Sequence, residues 1–221
     1  WVGVMLWTWL SIMNPHRFAW SWAYDALVPA LAAASTLVGL ALTKDRASPF
    51  KGPAVVVFTV FTLWVTLSWL LGLDPAGDYE QWKKVIKINF MILVALMLLH
   101  SKQHILALVW VCALSLALLG LKGGAFVIAT AGNNRVWGPP GSFIHDNNEF
   151  GLAMVMTIPL LRFLQLQIDH KWLHRALTVM MLACAAAALG THSRGALLAI
   201  SAMALVLWWR GKNRFATGVL I

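Results

Sequence analysis

The sequence predicts an all-α integral membrane protein, a polytopic bundle of transmembrane helices with about eight or nine spans. Of the 221 residues, 60% are hydrophobic and only 11% are charged, and the mean hydropathy is +0.75. A soluble domain carries about twice that share of charged residues. Lipid excludes unpaired backbone polar groups, so the apolar stretches are expected to be helices, because the alternating polarity of barrel strands is absent.

Eight apolar stretches follow one another along the chain, and a ninth begins at Phe215. Because the chain starts at Trp1 and stops at Ile221 inside apolar runs, we expect a single transmembrane domain over residues 1–221 that is truncated at both ends. The predicted helices cover residues 1–13, 26–43, 53–73, 85–99, 105–121, 150–166, 176–189 and 196–209.

The polar runs between these stretches alternate in charge. One set comprises residues 44–51, 100–104, 169–175 and 210–214, and the other comprises residues 14–25, 74–80, 122–149 and 191–195. Together with Arg162, the first set holds ten basic residues (Lys and Arg) and two acidic residues. Together with Lys83, Lys84 and Lys87, the second set holds seven basic residues and six acidic residues. The positive-inside rule therefore predicts a cytoplasmic first set and an outer second set.

The net charge of +9 is explained by this loop asymmetry and does not indicate a nucleic-acid partner, since no such binding motif is present. Cys112 and Cys184 lie inside apolar stretches and are expected to be packing residues. No metal-ligand spacing occurs among Cys, His, Asp and Glu, so we expect neither a metal nor a cofactor.

One polar island interrupts the apolar chain between Arg175 and Arg210, namely Thr-His-Ser-Arg-Gly at residues 191–195. The 34 intervening residues are too many for one crossing of about 20 residues and about right for two. Arg194 therefore lies where one helix ends and the next begins, near a membrane face. A cation there is costly unless it meets an anion, a cavity or water, which favours a functional role.

The predicted loop of residues 122–149 shares the outer face with this island and is the longest polar run in the chain. Loops of about 28 residues are usually functional or disordered. Its apolar residues 125–131 are expected to form a short interfacial or re-entrant segment. The alternative for the end of the loop is a turn followed by a helix N-cap. The candidate site residues there are Arg135, His145, Asp146, Asn147, Asn148 and Glu149.

Arg194 and Arg135 are candidate ligands of a phosphate or pyrophosphate, because a guanidinium group binds two phosphate oxygens at once and stays charged. Helix N-terminal amides after Gly195 would favour the same anion. The alternatives are a topology-setting or snorkelling charge for Arg194 and a loop salt bridge for Arg135.

Lys83 and Lys87 lie four residues apart and therefore share a helix face. They either neutralise Asp78 and Glu80 or line the same anionic-lipid pocket as the arginines. Lys122, between Leu121 and Gly123, presents the same choice.

His145 and His192 lie beside the two polar segments and are the candidate general bases within the chain, because histidine titrates near neutral pH. A structural or solvent-facing role is the alternative for each. No Ser-His-Asp set and no pair of catalytic carboxylates is recognisable in the sequence.

Several segments resemble one family of membrane enzymes. Residues 190–199 (GTHSRGALLA) resemble the Ser-Arg-Gly signature of the O-antigen ligase and polymerase superfamily, and residues 141–153 (GSFIHDNNEFGLA) resemble the segment that precedes it. Residues 7–17, 80–88 and 135–143 are similar to O-glycosylation ligases associated with the exosortase A system. Residues 190–221 would then begin the ligase-signature region.

This resemblance implies a glycan ligase of the bacterial inner membrane. Such enzymes transfer a glycan from an undecaprenyl-pyrophosphate carrier to an acceptor hydroxyl, on a protein or a lipid, at the periplasmic face and without a metal. Arg194 would hold the pyrophosphate. A catalytic base in a later loop would lie beyond Ile221, so that this stretch alone would be inactive.

Two alternatives use the same sequence features. A polysaccharide polymerase would use the same donor and differ in its acceptor. A transporter or flippase of lipid-linked glycans tends to place polar groups at the membrane midplane and to contain internal repeats. Here the polar residues gather toward one face and no repeat is found, which favours the ligase.

Overall fold

The computed structural model describes residues 1–21, 24 and 26–210, without the side chains of Lys51 and Arg210. Within these ranges the chain is helical and contains no strand. Two short 3-10 helices, Pro15–Phe18 and Pro49–Lys51, accompany the α-helices. The α-helices are α1 (Val2–Met13), α2 (Val28–Leu42), α3 (Pro53–Leu70), α4 (Tyr79–Leu98), α5 (Lys102–Ala129), α6 (Asn147–Gln165), α7 (Lys171–Gly190) and α8 (Arg194–Arg210).

Each of the eight predicted apolar stretches lies in one of these helices, which confirms the all-α prediction. Three helices, α3, α5 and α7, are long and apolar enough to cross a membrane. Helices α2 and α8 are apolar but shorter. The predicted ninth stretch at Phe215 lies outside the described residues.

The predicted outer loop of residues 122–149 is too long, because α5 continues to Ala129. The apolar residues 125–129 are therefore the last turns of a continuous helix and not a separate re-entrant segment. Gly120 and Gly124 lie where a Cβ would come within 2.5 Å of Cys184 Sγ and 2.8 Å of Ala183 O. Close packing against α7 explains these glycines inside a helix.

The helix starts follow from local sequence. Pro29 and Pro53 lie in the first turns of α2 and α3, where the missing N–H of proline costs no hydrogen bond. Asp146 precedes α6 and Ser193 precedes α8, and both side chains accept a hydrogen bond from a first-turn backbone N–H. The expected N-cap at the start of α6 is confirmed for Asp146.

The helices form two compact units. This division does not test the single transmembrane domain that the sequence predicts. That expectation stays a prediction. One unit comprises Trp1–Thr8 and Leu27–Leu108. Its buried cluster is Val4, Val94 and Leu98, while none of the residues of α3 is buried.

The second unit comprises Trp9–Ala26 and the chain from Val109 onward, as far as the structure describes these residues. Helix α6 packs against α7 and α8. Phe150, Met154 and Leu161 of α6 and Leu177 and Cys184 of α7 are almost completely buried. This packing positions the starts of α6 and α8, where the candidate site residues lie.

Candidate functional site

The start of α6 is organised by Asp146. Its Oδ2 accepts hydrogen bonds from the backbone N–H of Asn148 at 2.9 Å and from Asn148 Nδ2 at 3.0 Å. The backbone hydrogen bond from Asn148 is the main cause that lowers the pKa of the Asp146 carboxyl. Asp146 is therefore a charged helix cap and is poorly suited to accept a proton as a catalytic base.

The two residues after Asp146, Asn147 and Asn148, form hydrogen bonds that connect the start of α6 to the turn before α8. Asn147 Nδ2 donates to the backbone oxygen of Thr191 at 3.0 Å, and both residues are buried. Ser193 Oγ donates to Asn148 Oδ1 at 2.7 Å and accepts from the N–H of Ala196 at 3.1 Å. We call Asn147, Asn148, Thr191 and Ser193 the α6–α8 clasp.

The clasp holds the starts of α6 and α8 side by side. A Cβ on Gly151 would lie 2.7 Å from Ala196 Cβ and 2.9 Å from Thr191 Oγ1, so only glycine permits this approach. Both helices therefore present the positive ends of their dipoles at the same place. The α6 end is already capped by the Asp146 carboxylate, so an added anion is favoured at the α8 end, whose first turn contains no acid.

Arg194 is the first residue of α8 and its side chain is exposed. The first turn of α8 contains no acid, whereas α6 has Glu149 after its Asp146 cap. Within the described part of the chain, Arg194 makes no hydrogen bond or ion pair through its side chain. A cation at a helix N-terminus opposes the dipole, so a bound anion would remove this unfavourable placement.

The segment before α6 is attached to the turn between α7 and α8. Val136 N–H donates to the Gly190 oxygen at 2.9 Å, and His192 Nε2 lies 3.1 Å from the Gly132 oxygen. Because a carbonyl oxygen only accepts, His192 Nε2 is the donor in this contact. These bonds bring the segments that carry Arg135 and Arg194 together.

The turn that follows Arg135 is compact. Gly138 N–H donates to the His145 oxygen at 3.0 Å, and a Cβ on Gly138 would lie 1.7 Å from the Ile144 oxygen. The Arg135 guanidinium lies 5.8 Å from the Trp137 ring, and the ring centroids of Trp137 and His145 are 6.3 Å apart. His145 and Arg135 are both exposed at this turn.

Lys83 and Lys87 belong to the other unit. Lys83 Nζ lies 3.3 Å from Glu80 Oε1 and 5.4 Å from the centre of the Tyr79 ring. The neutralising alternative is therefore correct for Lys83 with Glu80, and the anion-binding role of Lys83 and Lys87 stays a prediction.

The sequence did not single out Thr191 or Ser193 as separate residues, although they form half of the clasp. A serine directly before a predicted helix is a recognisable N-cap signal, but its bond to Asn148 spans 45 residues of sequence. Among the residues described, no group of three or more His, Cys, Asp and Glu side chains could hold a metal ion.

Most of the chain matches a known protein family. A family profile matches residues 1–169. The chain belongs to the DUF5935 family, a family of unknown function. The match includes α6 and the Asn147 and Asn148 side of the clasp, and it ends before α7. No curated protein and no solved structure matches the chain.

Proposed function

We propose that this protein is a membrane glycan ligase. The enzyme transfers a glycan from undecaprenyl pyrophosphate to an acceptor hydroxyl at the periplasmic face of a bacterial inner membrane. The acceptor is a protein or a lipid. The resemblance of residues 141–153 and 190–199 to O-antigen ligases supports the proposal, and the position of Arg194 supports it independently.

In the proposed reaction, the bond between the sugar anomeric carbon and the pyrophosphate oxygen breaks. A bond from the acceptor oxygen to that carbon forms, and the acceptor proton passes to a base. Undecaprenyl pyrophosphate leaves with increased negative charge. Fixed guanidinium groups and helix N-termini aimed at that charge lower the barrier.

The observation that carries the proposal is the unpaired guanidinium of Arg194 at the start of α8. The clasp fixes the backbone on which Arg194 lies, while its side chain remains exposed. The N-terminus of α8 and an arginine fork form a suitable site for a pyrophosphate, whereas the N-terminus of α6 is already capped by the Asp146 carboxylate. Arg135, attached to the same turn through Val136, is the second proposed ligand.

His192 and His145 are weaker candidates for the base. Within the described ranges neither side chain contacts a carboxylate that would orient it and raise its basicity. We therefore assign the catalytic base to neither histidine.

The proposal extends the three membrane-length helices to a bundle of eight or nine spans. Helices α2 and α8 are apolar, and α4 and α6 have 20 and 19 residues, about the length of one crossing. The anion-binding role of Lys83 and Lys87 remains part of this proposal.

The test is a transfer assay with purified full-length protein, undecaprenyl-pyrophosphate-linked glycan and a membrane extract that supplies acceptors. Arg194→Ala is expected to reduce transfer at least 100-fold, the order of magnitude for a lost oxyanion ligand. Arg194→Lys is expected to restore little, because lysine lacks the two-pronged geometry.

Arg175→Ala is the matched control. Arg175 also lies near the start of a helix, α7, and its guanidinium is 5.4 Å from the Trp172 ring. It lies at the opposite end of α7 from the clasp and is not the first residue of its helix. It should retain transfer. Full transfer by Arg194→Ala, with Arg175→Ala also active, would disprove the pyrophosphate role of Arg194.

A further inference from the structure

A cavity of about 410 Å³ lies between the last turns of α5 and the segment 135–140. Its volume is typical of small-molecule sites. Most of its surface is apolar, with Leu119, Phe126, Val136 and Phe150 among the lining residues. Its only charged lining residues are Lys122 and Arg135, so two cations and no acid face an apolar space.

The wall of this cavity is held by backbone contacts. Val136 is 5% exposed, and its N–H bond to Gly190 attaches the segment to the end of α7. A Cβ on Gly123 would lie 3.0 Å from Ala187 Cβ and 3.2 Å from Val136 Cγ1. Glycine at this position lets α5 approach the wall closely, and the cavity is therefore formed before any ligand binds.

Lys122 lies seven residues before the end of α5, about 10 Å along a helix of membrane length. Its Nζ is 4.4 Å from the centre of the Phe18 ring. In the part of the chain that the structure describes, Lys122 has no carboxylate partner. The Lys122 side chain is exposed where it borders the cavity, so its ammonium group is free to bind an anion there.

We propose that this cavity binds a phosphate ester with a hydrocarbon chain, with the phosphate between Lys122 and Arg135 and the chain along Phe126 and Leu119. The ligand is a membrane phospholipid with an anionic headgroup or a polyprenyl phosphate, which share this chemistry. The site shares Arg135 with the proposed donor site but does not include Arg194, and its lipid affinity is measurable whether or not the protein is a ligase.

The experiment measures lipid affinity by native mass spectrometry of the full-length protein in detergent. The probes are phosphatidylglycerol, undecaprenyl phosphate and the uncharged lipid diacylglycerol. Lys122→Gln and Arg135→Gln are each expected to weaken binding of the phosphate lipid about tenfold, the effect of one lost charged hydrogen bond. Lys122→Arg should retain binding, which separates loss of charge from misfolding.

Lys102→Gln is the matched control, because Lys102 is an exposed lysine at the opposite end of α5. It should leave affinity unchanged. The proposal is overturned if diacylglycerol binds as tightly as the phosphate lipids, or if Lys102→Gln weakens binding as much as Lys122→Gln. Tighter binding of phosphatidylglycerol identifies a phospholipid site, and tighter binding of undecaprenyl phosphate identifies a carrier site.

The two proposals fail separately in these measurements. Loss of transfer in Arg194→Ala with unchanged lipid affinity concerns the ligase proposal alone. Unchanged lipid affinity in both Lys122→Gln and Arg135→Gln removes the cavity site and leaves the role of Arg194 untouched.

Discussion

At the residue scale, Asp146 and Arg194 occupy the starts of two adjacent helices with opposite charges. Asp146 caps α6, where a carboxylate is favoured by the helix dipole. Arg194 begins α8, where a cation is disfavoured by the same dipole. Local helix stability accounts for Asp146 but not for Arg194, and we therefore assign Arg194 to ligand binding.

The role of Asp146 predicts a pH-dependent stability difference. Because folding lowers the pKa of its carboxyl, Asp146 contributes stability that is present above the unfolded pKa of about 4 and is lost as pH falls through the lower folded value. Asp146→Asn keeps a cap but does not titrate. The melting temperature of the wild type minus that of Asp146→Asn should therefore fall as pH drops below about 5. A difference that stays constant down to pH 2 would contradict this assignment.

Gly138 gives a prediction about the turn after Arg135. Alanine there would place its Cβ 1.7 Å from the Ile144 backbone oxygen, which cannot move without disrupting the turn. We expect Gly138→Ala to destabilise the fold by about 1–3 kcal/mol. The control is Gly39→Ala in α2, where nothing lies within 4 Å and helix propensity should make the change neutral or favourable. Equal melting temperatures of the two variants in detergent would refute the tight turn.

At the element scale, the α6–α8 clasp determines where Arg194 lies. Its bonds join residues about 45 positions apart, and each also involves a helix start or the turn before one. Removing a single clasp side chain should therefore alter both the cap of α8 and its contact with α6.

Ser193→Ala tests this dual role. It removes the cap on Ala196 and the bond to Asn148, and should cost about 0.5–2 kcal/mol. Ser201→Ala is the matched control, because Ser201 lies on α8, is exposed and bonds only the Leu197 oxygen within its own helix. Hydrogen exchange should increase in the first turn of α8 in Ser193→Ala alone. Equal exchange in both variants would show that the clasp does not hold that turn.

The helices were predictable from the sequence because their apolar stretches and caps are local signals. The end of α5 was not, since Gly120, Gly123 and Gly124 are favourable only through packing on α7, which lies about 60 residues later. The site was predictable in part. Arg194, Arg135 and Asp146 stand out as residue types, but the bonds Asn148–Ser193 and Val136–Gly190 depend on tertiary packing.

At the scale of the whole molecule, the account requires that α5 cross the membrane. Its 28 residues span about 42 Å, more than the roughly 30 Å hydrocarbon core. The positive-inside pattern predicts a cytoplasmic start and an outer end for α5.

Cysteine labelling tests this orientation. In a background with Cys112 and Cys184 replaced by alanine, a membrane-impermeant maleimide should label Asn134→Cys in intact spheroplasts. The maleimide should label Gln103→Cys only after the spheroplasts are lysed. It should not label the cysteine-free parent protein. Labelling of both positions from the same side would contradict a crossing by α5.

The central claim, transfer of a lipid-linked glycan, is tested most directly by following the fate of the donor. Purified full-length protein in proteoliposomes would receive undecaprenyl-pyrophosphate-linked glycan, a membrane extract and a chelator. The account predicts that the donor is consumed and that its glycan appears on an acceptor hydroxyl of a protein or lipid. Extension of one carrier-linked glycan by another would instead identify a polymerase. Movement of intact donor across the bilayer without turnover would identify a transporter and contradict the account.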